Sequence, residues 1–175
     1  SVSPYSTTSP NRKNAVLSEI LHTELIELGA LCEQVIGRTY EVLLEGNQRA
    51  AEEIIKKDQV VDAKEREIED LCFRIILQQQ PVARDLRQVS AALKMITDME
   101  RIGDQAADIA DIVKVTSLGV PDASIRLKDM AKATASMVTK CIDAYVKQDL
   151  KLAREVIDSD DIVDDLFCRS LVSLQ

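Results

Sequence analysis

Displaced by 102 residues, the chain lies over itself without a gap. "EGNQRAAEEIIKKDQVVD" at 45–62 falls on "KQDLKLAREVIDSDDIVD" at 147–164, so that Ala51 meets Ala153, Ile55 meets Ile157, Asp58 meets Asp160, Val61 meets Val163 and Asp62 meets Asp164. Upstream, Leu25, Leu28 and Val35 meet Leu127, Met130 and Met137. Such a register means that one structural unit occurs twice, which limits the available folds more than any local motif could.

The repeated unit is helical. Leu17, Leu21, Leu25, Leu28, Cys32, Val35 and Val42 keep a spacing of three and four, the narrow apolar seam of a bundle helix over 15–46. "EGNQ" at 45–48 makes the turn, with Gly46 suited to a C-cap and Asn47 to the N-cap of a second helix over 48–80. Pro81 stops that helix. A third follows over 82–116, "SLGVPD" at 117–122 separates it from a fourth reaching Lys147, and the remainder forms a fifth. Asp122 or Ser124 could cap the fourth. The repeat therefore sets the first two helices over the fourth and fifth. Aromatic residues make up only 3% of the chain and glycines number five, which suits an aliphatic helical core and leaves little for the turns of an all-β fold.

The net charge of −8 argues against a phosphate-backbone partner and against docking on anionic lipid through a basic face. There is no apolar run long enough for a transmembrane helix. Residues 1–14, "SVSPYSTTSPNRKN", are polar, lack the core of a signal peptide and read as a disordered lead-in. Cys32, Cys72, Cys141 and Cys168 form no CxxC pair and read as small apolar filler in a reducing, cytoplasmic setting. No GxSxG, P-loop or Cys–His pairing is present, so no catalytic residue is expected and the protein reads as a non-enzyme.

One chemical feature stands out. Glu100, Asp104, Asp108 and Asp111 fall within about 80° of one another on the third helix at roughly 100° per residue. Asp58, Asp62, Glu65 and Glu69 form a matching row on the second. Met95, Met99, Ile102, Ala106, Ile109 and Val113 mark the apolar face of the third helix, which puts the acidic row roughly opposite, on the exterior or in a shallow groove. Gly103, Ala107 and Ala110 lie between, where small side chains admit a close neighbour. Like charges at this spacing repel by about 0.2–0.5 kcal/mol per pair, so the rows must be well solvated or offset by cations. Two such rows on consecutive antiparallel helices could converge on an oxygen-rich surface suited to Fe, Mn, Mg or Ca, whereas Zn more often takes His or Cys. The plain alternative is a solvated acidic face that binds nothing. His22 reads as a packing or surface residue, and Arg101 as an ion-pair partner of Asp104 or Asp98.

"QPVARDLRQVSAALKMITDMERIGDQAADIA", Gln80 to Ala110, resembles the signature helix of the PhoU family. Both "DLR" after the helix-breaking proline and "ERIGD" stand as that family has them, and the likeness extends over all five helices. The resemblance implies an all-α bundle of two three-helix repeats, 15–118 complete and 119–175 with two helices only. It implies a cytoplasmic, non-enzymatic negative regulator of phosphate uptake and phosphate-starvation signalling, working with the phosphate ABC transporter and a sensor histidine kinase. It also implies metal ions held on an acidic surface by E/D-x-x-x-D motifs. By position these are Glu100, Asp104 and Asp108, Asp58 and Asp62 in the first repeat, and Asp160 and Asp164 in the second. The ion stays open among Fe, Mn, Zn, Mg and Ca.

The second repeat has no counterpart of residues 74–116. The chain therefore reads as a fragment, or as an open bundle that a partner subunit completes. Leu127, Met130, Met137, Val156, Ile157, Leu166 and Phe167 are expected to form an uncovered apolar face and to pack against a second copy in a homodimer. Two other readings compete with the regulatory adaptor: a metal-binding or storage carboxylate protein, and a purely structural helical adaptor without metal.

Overall fold

A computed structural model describes the backbone of residues 10–116 and 124–172, and the side chains of 15–115 and 127–161. Its elements are α1 (Pro10–Glu45), α2 (Gln48–Gln79), α3 (Ala83–Thr116), α4 (Ser124–Lys147) and α5 (Leu150–Val172), with no strand among the described residues. Pro10 opens α1, where a missing N–H is harmless. The helix thus takes in residues 10–14 of the segment read as a lead-in. Asp122 lies outside the described residues.

The 102-residue register is visible in the backbone. Gly46 and Gln148 occupy the same place in it and both adopt left-handed φ, 61° and 53°. One residue on, Asn47 and Asp149 cap the next helix in the same way. The Asn47 side chain accepts from the Arg49 and Ala50 amides, and the Asp149 carboxylate accepts from the Leu152 amide. The Asp149 cap was not legible in the composition of "KQDLK", but the register points to it.

The apolar seam of α1 is the centre of the molecule. Leu21, Leu25, Leu28, Cys32, Val35 and Val42 are all buried, Leu17 packs at the edge, and Thr39 completes the spacing by donating its hydroxyl to the Val35 carbonyl. Around this seam α1 packs on α2, α3 and α4, and α2 packs on α3. Lys64 of α2 is clasped by Glu24 and Glu27 of α1, on the edge of α2 away from α3. Burial raises the Cys32 thiol to about 12 and the Cys72 thiol to about 11, consistent with inert packing groups. Cys168 lies outside the described side chains.

The second repeat joins the first along α1 and α4. Gly29 permits the approach: a β-carbon there would stand 2.0 Å from Ile142 Cδ1. His22 packs edge-on against Tyr145, as its sequence position suggested, and the Tyr145 hydroxyl donates to the Gln88 carbonyl of α3. Among the described residues α5 packs on α4 alone. It faces α3 across an apolar cleft of about 530 Å³ whose walls include Met95, Cys141, Tyr145, Val156 and Ile157. Ile157 is 71% exposed. Leu127, Met130, Met137 and Val156 are half-buried, so the expected apolar face is only partly open; Leu166 and Phe167 lie outside the described side chains.

Candidate metal centre

The two acidic rows meet along the seam between α2 and α3. The buried line of α3 runs through Met99, Gly103, Ala106, Ala110 and Val113. It is turned by about 40° toward the acidic row, relative to the face expected from the sequence. Ile109, expected in the core, is consequently 36% exposed. Small residues occupy that side: Ala106 and Ala110 are buried, and the Asp58 carboxylate and Val61 of α2 lie close to where a β-carbon on Gly103 would stand.

The rotation carries the carboxylates from the exterior to the rim of the seam. Oxygens of Asp58, Asp62 and Asp104 all lie within 4.8 Å of one another. Asp58 and Asp62 are half-buried and Asp104 is exposed, so the group forms a groove, open on one side. Glu100 and Glu65 are half-buried beside it, and Asp108 is exposed one turn beyond Asp104. Asp160, the register counterpart of Asp58, is exposed on α5, and the Asp164 side chain lies outside the described residues.

Positive charge offsets only part of the repulsion in this groove: Arg66 acts on Glu65 and Arg101 on Glu100, each against larger effects of burial and neighbouring acids. Burial, reinforced by the charges of Asp62 and Asp104, pushes the Asp58 carboxyl up to about 6. Burial also raises Glu65, with help from Glu69, and raises Glu100, with help from Asp104. Among the described residues no lysine or arginine forms an ion pair with any of these carboxylates. Lys64 turns to α1, and Arg101 pairs loosely with Asp98, 3.9 Å away, and not with Asp104. Asp58 Oδ1 and Asp62 Oδ1 are buried without a hydrogen-bond partner. Each such oxygen costs about 1–3 kcal/mol, more when charged.

Those two orphaned oxygens are the test of whether a cation fits. Oxygens around one ion with bonds of about 2.0–2.6 Å stand no more than about 4–5 Å apart, a limit that the three oxygens here meet. The donor set is all carboxylate, with neither His nor Cys, which favours Mn, Mg, Ca or Fe over Zn. The residues present fit a hard cation.

The likeness to known proteins bears on the same helices. A family model described as the PhoU domain matches residues 25–113 and again 127–173, once for each repeat. The chain belongs to the PhoU family. A phosphate-specific transport system accessory protein PhoU homolog from Clostridium acetobutylicum is 40% identical over 153 residues, 86% of this chain and 70% of its own length. One from Aquifex aeolicus is 34% identical, covering 82% of this chain and 66% of its own. Among solved structures, PhoU from Pseudomonas aeruginosa superposes with a TM-score of 0.82 at 26% identity, covering 91% of this chain and 78% of that one. The phosphate transport system regulatory protein PhoU from Streptococcus pneumoniae gives 0.77 at 25%. The chain thus spans roughly two thirds of the length of these curated relatives. PhoU proteins are regulatory accessory proteins and not enzymes.

Proposed function

We propose that this PhoU-family chain is a cytoplasmic regulatory adaptor that restrains phosphate uptake and phosphate-starvation signalling, with a metal ion on its α2–α3 edge. Its partners in this reading are the phosphate ABC transporter and a sensor histidine kinase. Support for the transport role comes from the relatives, which are named as accessory proteins of the phosphate-specific transport system. No helix among the described residues is long and apolar enough to cross a membrane, so contact with a transporter would be peripheral.

Support for the metal comes from the carboxylate group itself: Asp58, Asp62 and Asp104 each bring an oxygen within 4.8 Å of the others, and Asp58 and Asp62 each also have a buried oxygen without a hydrogen-bond partner. Asp58, Asp62 and Asp104 would hold the ion, with Glu100 and Asp108 adding negative field. A bound divalent cation supplies two or more positive charges that offset the repulsion among these carboxylates. The chain's own part is to hold α2 and α3 packed together so that these carboxylates face one another. Asp160 and Asp164 would form the corresponding half of a second site. The partly open face of α4 and α5 would be covered by a second copy in a homodimer.

Elemental analysis of purified protein tests the metal, with Glu100→Ala, Asp104→Ala and the double variant Asp58→Asn/Asp62→Asn as comparisons. Stoichiometric Mn, Fe, Mg or Ca in the wild type, reduced in the variants, is the expected result. Wild type with no metal above buffer would remove the site and leave a helical adaptor. The regulatory role is tested in a bacterium lacking its own PhoU homolog, where this chain should restore repression of a phosphate-starvation reporter. Light scattering tests the dimer.

A further inference from the structure

We infer that Gly103 sets the position of the Asp58 carboxylate, and through it the spacing of the carboxylate group between α2 and α3. The functional consequence rests on the metal-binding reading; the geometric claim does not.

Gly103 lies buried in the middle of α3. Nothing in the local backbone asks for glycine there, since its φ is not positive and a glycine in a helix interior is unfavourable relative to alanine. Its role must be spatial. A β-carbon built on Gly103 would stand 2.6 Å from Asp58 Oδ1, and 3.3 and 3.5 Å from Val61 Cγ1 and Cβ. The first distance is far inside carbon–oxygen contact, so an added methyl and that oxygen cannot share the space.

Which group would yield is decided by what holds each. Val61 is fully buried in the core and is asked to move by only a few tenths of an ångström. Asp58 is half-buried, its carboxylate ends two rotatable bonds, and Oδ1 has no hydrogen bond to keep it in place. The carboxylate would therefore swing out of the seam. Conversely, the missing side chain at Gly103 is what lets Oδ1 sink below the solvent surface, beside the oxygens of Asp62 and Asp104.

An unusual pairing of effects follows. Moving Asp58 outward returns a buried oxygen to water and separates it from Asp62, Asp104, Glu100 and Asp108, all of which oppose its charge. Alanine also favours the helix. The metal-free protein should thus lose no stability while the cation site loses a ligand. A glycine that served only helix packing would behave in the opposite way, weakening the fold first. Gly37 on α1 supplies the comparison, because a β-carbon there meets nothing within 4 Å.

The experiment uses the full chain as wild type, Gly103→Ala and Gly37→Ala. Mn²⁺ binding is measured by titration calorimetry, thermal unfolding is measured in chelator, and metal-free crystal structures are determined for wild type and Gly103→Ala. Both variants should melt at or above the wild-type temperature without metal. Mn²⁺ affinity should fall more than tenfold in Gly103→Ala and stay at the wild-type value in Gly37→Ala. The Asp58 carboxylate should be turned away from Asp104 in the Gly103→Ala crystal. An unmoved Asp58, an unchanged Mn²⁺ affinity, or a marked loss of metal-free stability in Gly103→Ala alone would each overturn the inference. Wild type that takes up no Mn²⁺ would instead sink the metal reading, and the two crystal structures would then decide the role of Gly103 by themselves.

Discussion

Asp58 concentrates the repulsion of the two acidic rows in one side chain. Its carboxyl is raised to about 6 by burial and by four neighbouring acids, against an ordinary value near 4. Between those two values the folded protein binds more protons than the unfolded chain, so stability falls as pH rises through that window and stays lower above it. Asp58→Asn removes the charge while keeping the shape. It should raise metal-free stability at pH 7.5 by about 1–2 kcal/mol, after allowance for solvent screening of a half-buried group. The gain should be mostly gone by about pH 4, where the folded carboxyl is protonated and the unfolded one is roughly half protonated. Thermal melts in chelator at pH 4, 6 and 7.5 check this. Excess Mn²⁺ at pH 7.5 should reverse the order, since only the wild type keeps all three carboxylates. Gly103 belongs to the same scale, and neither residue type nor spacing revealed which of its neighbours it accommodates.

At the scale of the element, the two helical hairpins are set by their punctuation. Each first helix ends on a left-handed residue, and each second helix begins on an Asx cap, at positions 46–47 and 148–149. Gly46 adopts its conformation freely, whereas Gln148 carries a side chain into a region that disfavours one. Gln148 is held there by Arg84 of α3, whose guanidinium donates to its side-chain oxygen at 2.8 Å. Asn47→Ala removes two accepted hydrogen bonds and should destabilise the protein by about 1 kcal/mol, read from denaturant midpoints at constant slope. Arg84→Ala should loosen the α4–α5 turn, seen as faster amide exchange over residues 146–152 with little change in α1 and α2. The boundaries between α1, α2 and α3 were legible to within a residue or two because Gly46, Asn47 and Pro81 each impose a local conformation, whereas the start of α1, at Pro10, lies five residues before the expected one. The rotation of α3 was not, because Ile109 and Ala110 both look apolar in a row of letters, and only the shape of α2 decides which of them fits.

For the whole molecule, the decisive contact is between the repeats. Gly29 and Ile142 bring α1 and α4 together so closely that a methyl at Gly29 would overlap Ile142 Cδ1. Gly29→Ala should therefore destabilise by about 1–3 kcal/mol through overpacking. Ile142→Val, which deletes that atom, should recover much of the loss in the double variant, a coupling that a double-mutant cycle measures. The arrangement is uneven: α1 touches three helices, while α5 touches one among the described residues. Opening free energy follows packing, so amides over 150–161 should exchange faster than those of α1.

The sequence by itself determined the helices, the turns between them at 45–48 and 80–82, the duplication and the family, because each follows from local conformational preference or from a pattern long enough to be unmistakable. It also named the acidic rows on α2 and α3. What only the tertiary structure decided is how those rows face one another. A helix can turn about its axis with no change in its own hydrogen bonds, so the angle is set by the neighbour it packs against. Here α2 packs over the side of α3 that carries Gly103, and one oxygen each of Asp58 and Asp62 is left buried without a hydrogen-bond partner.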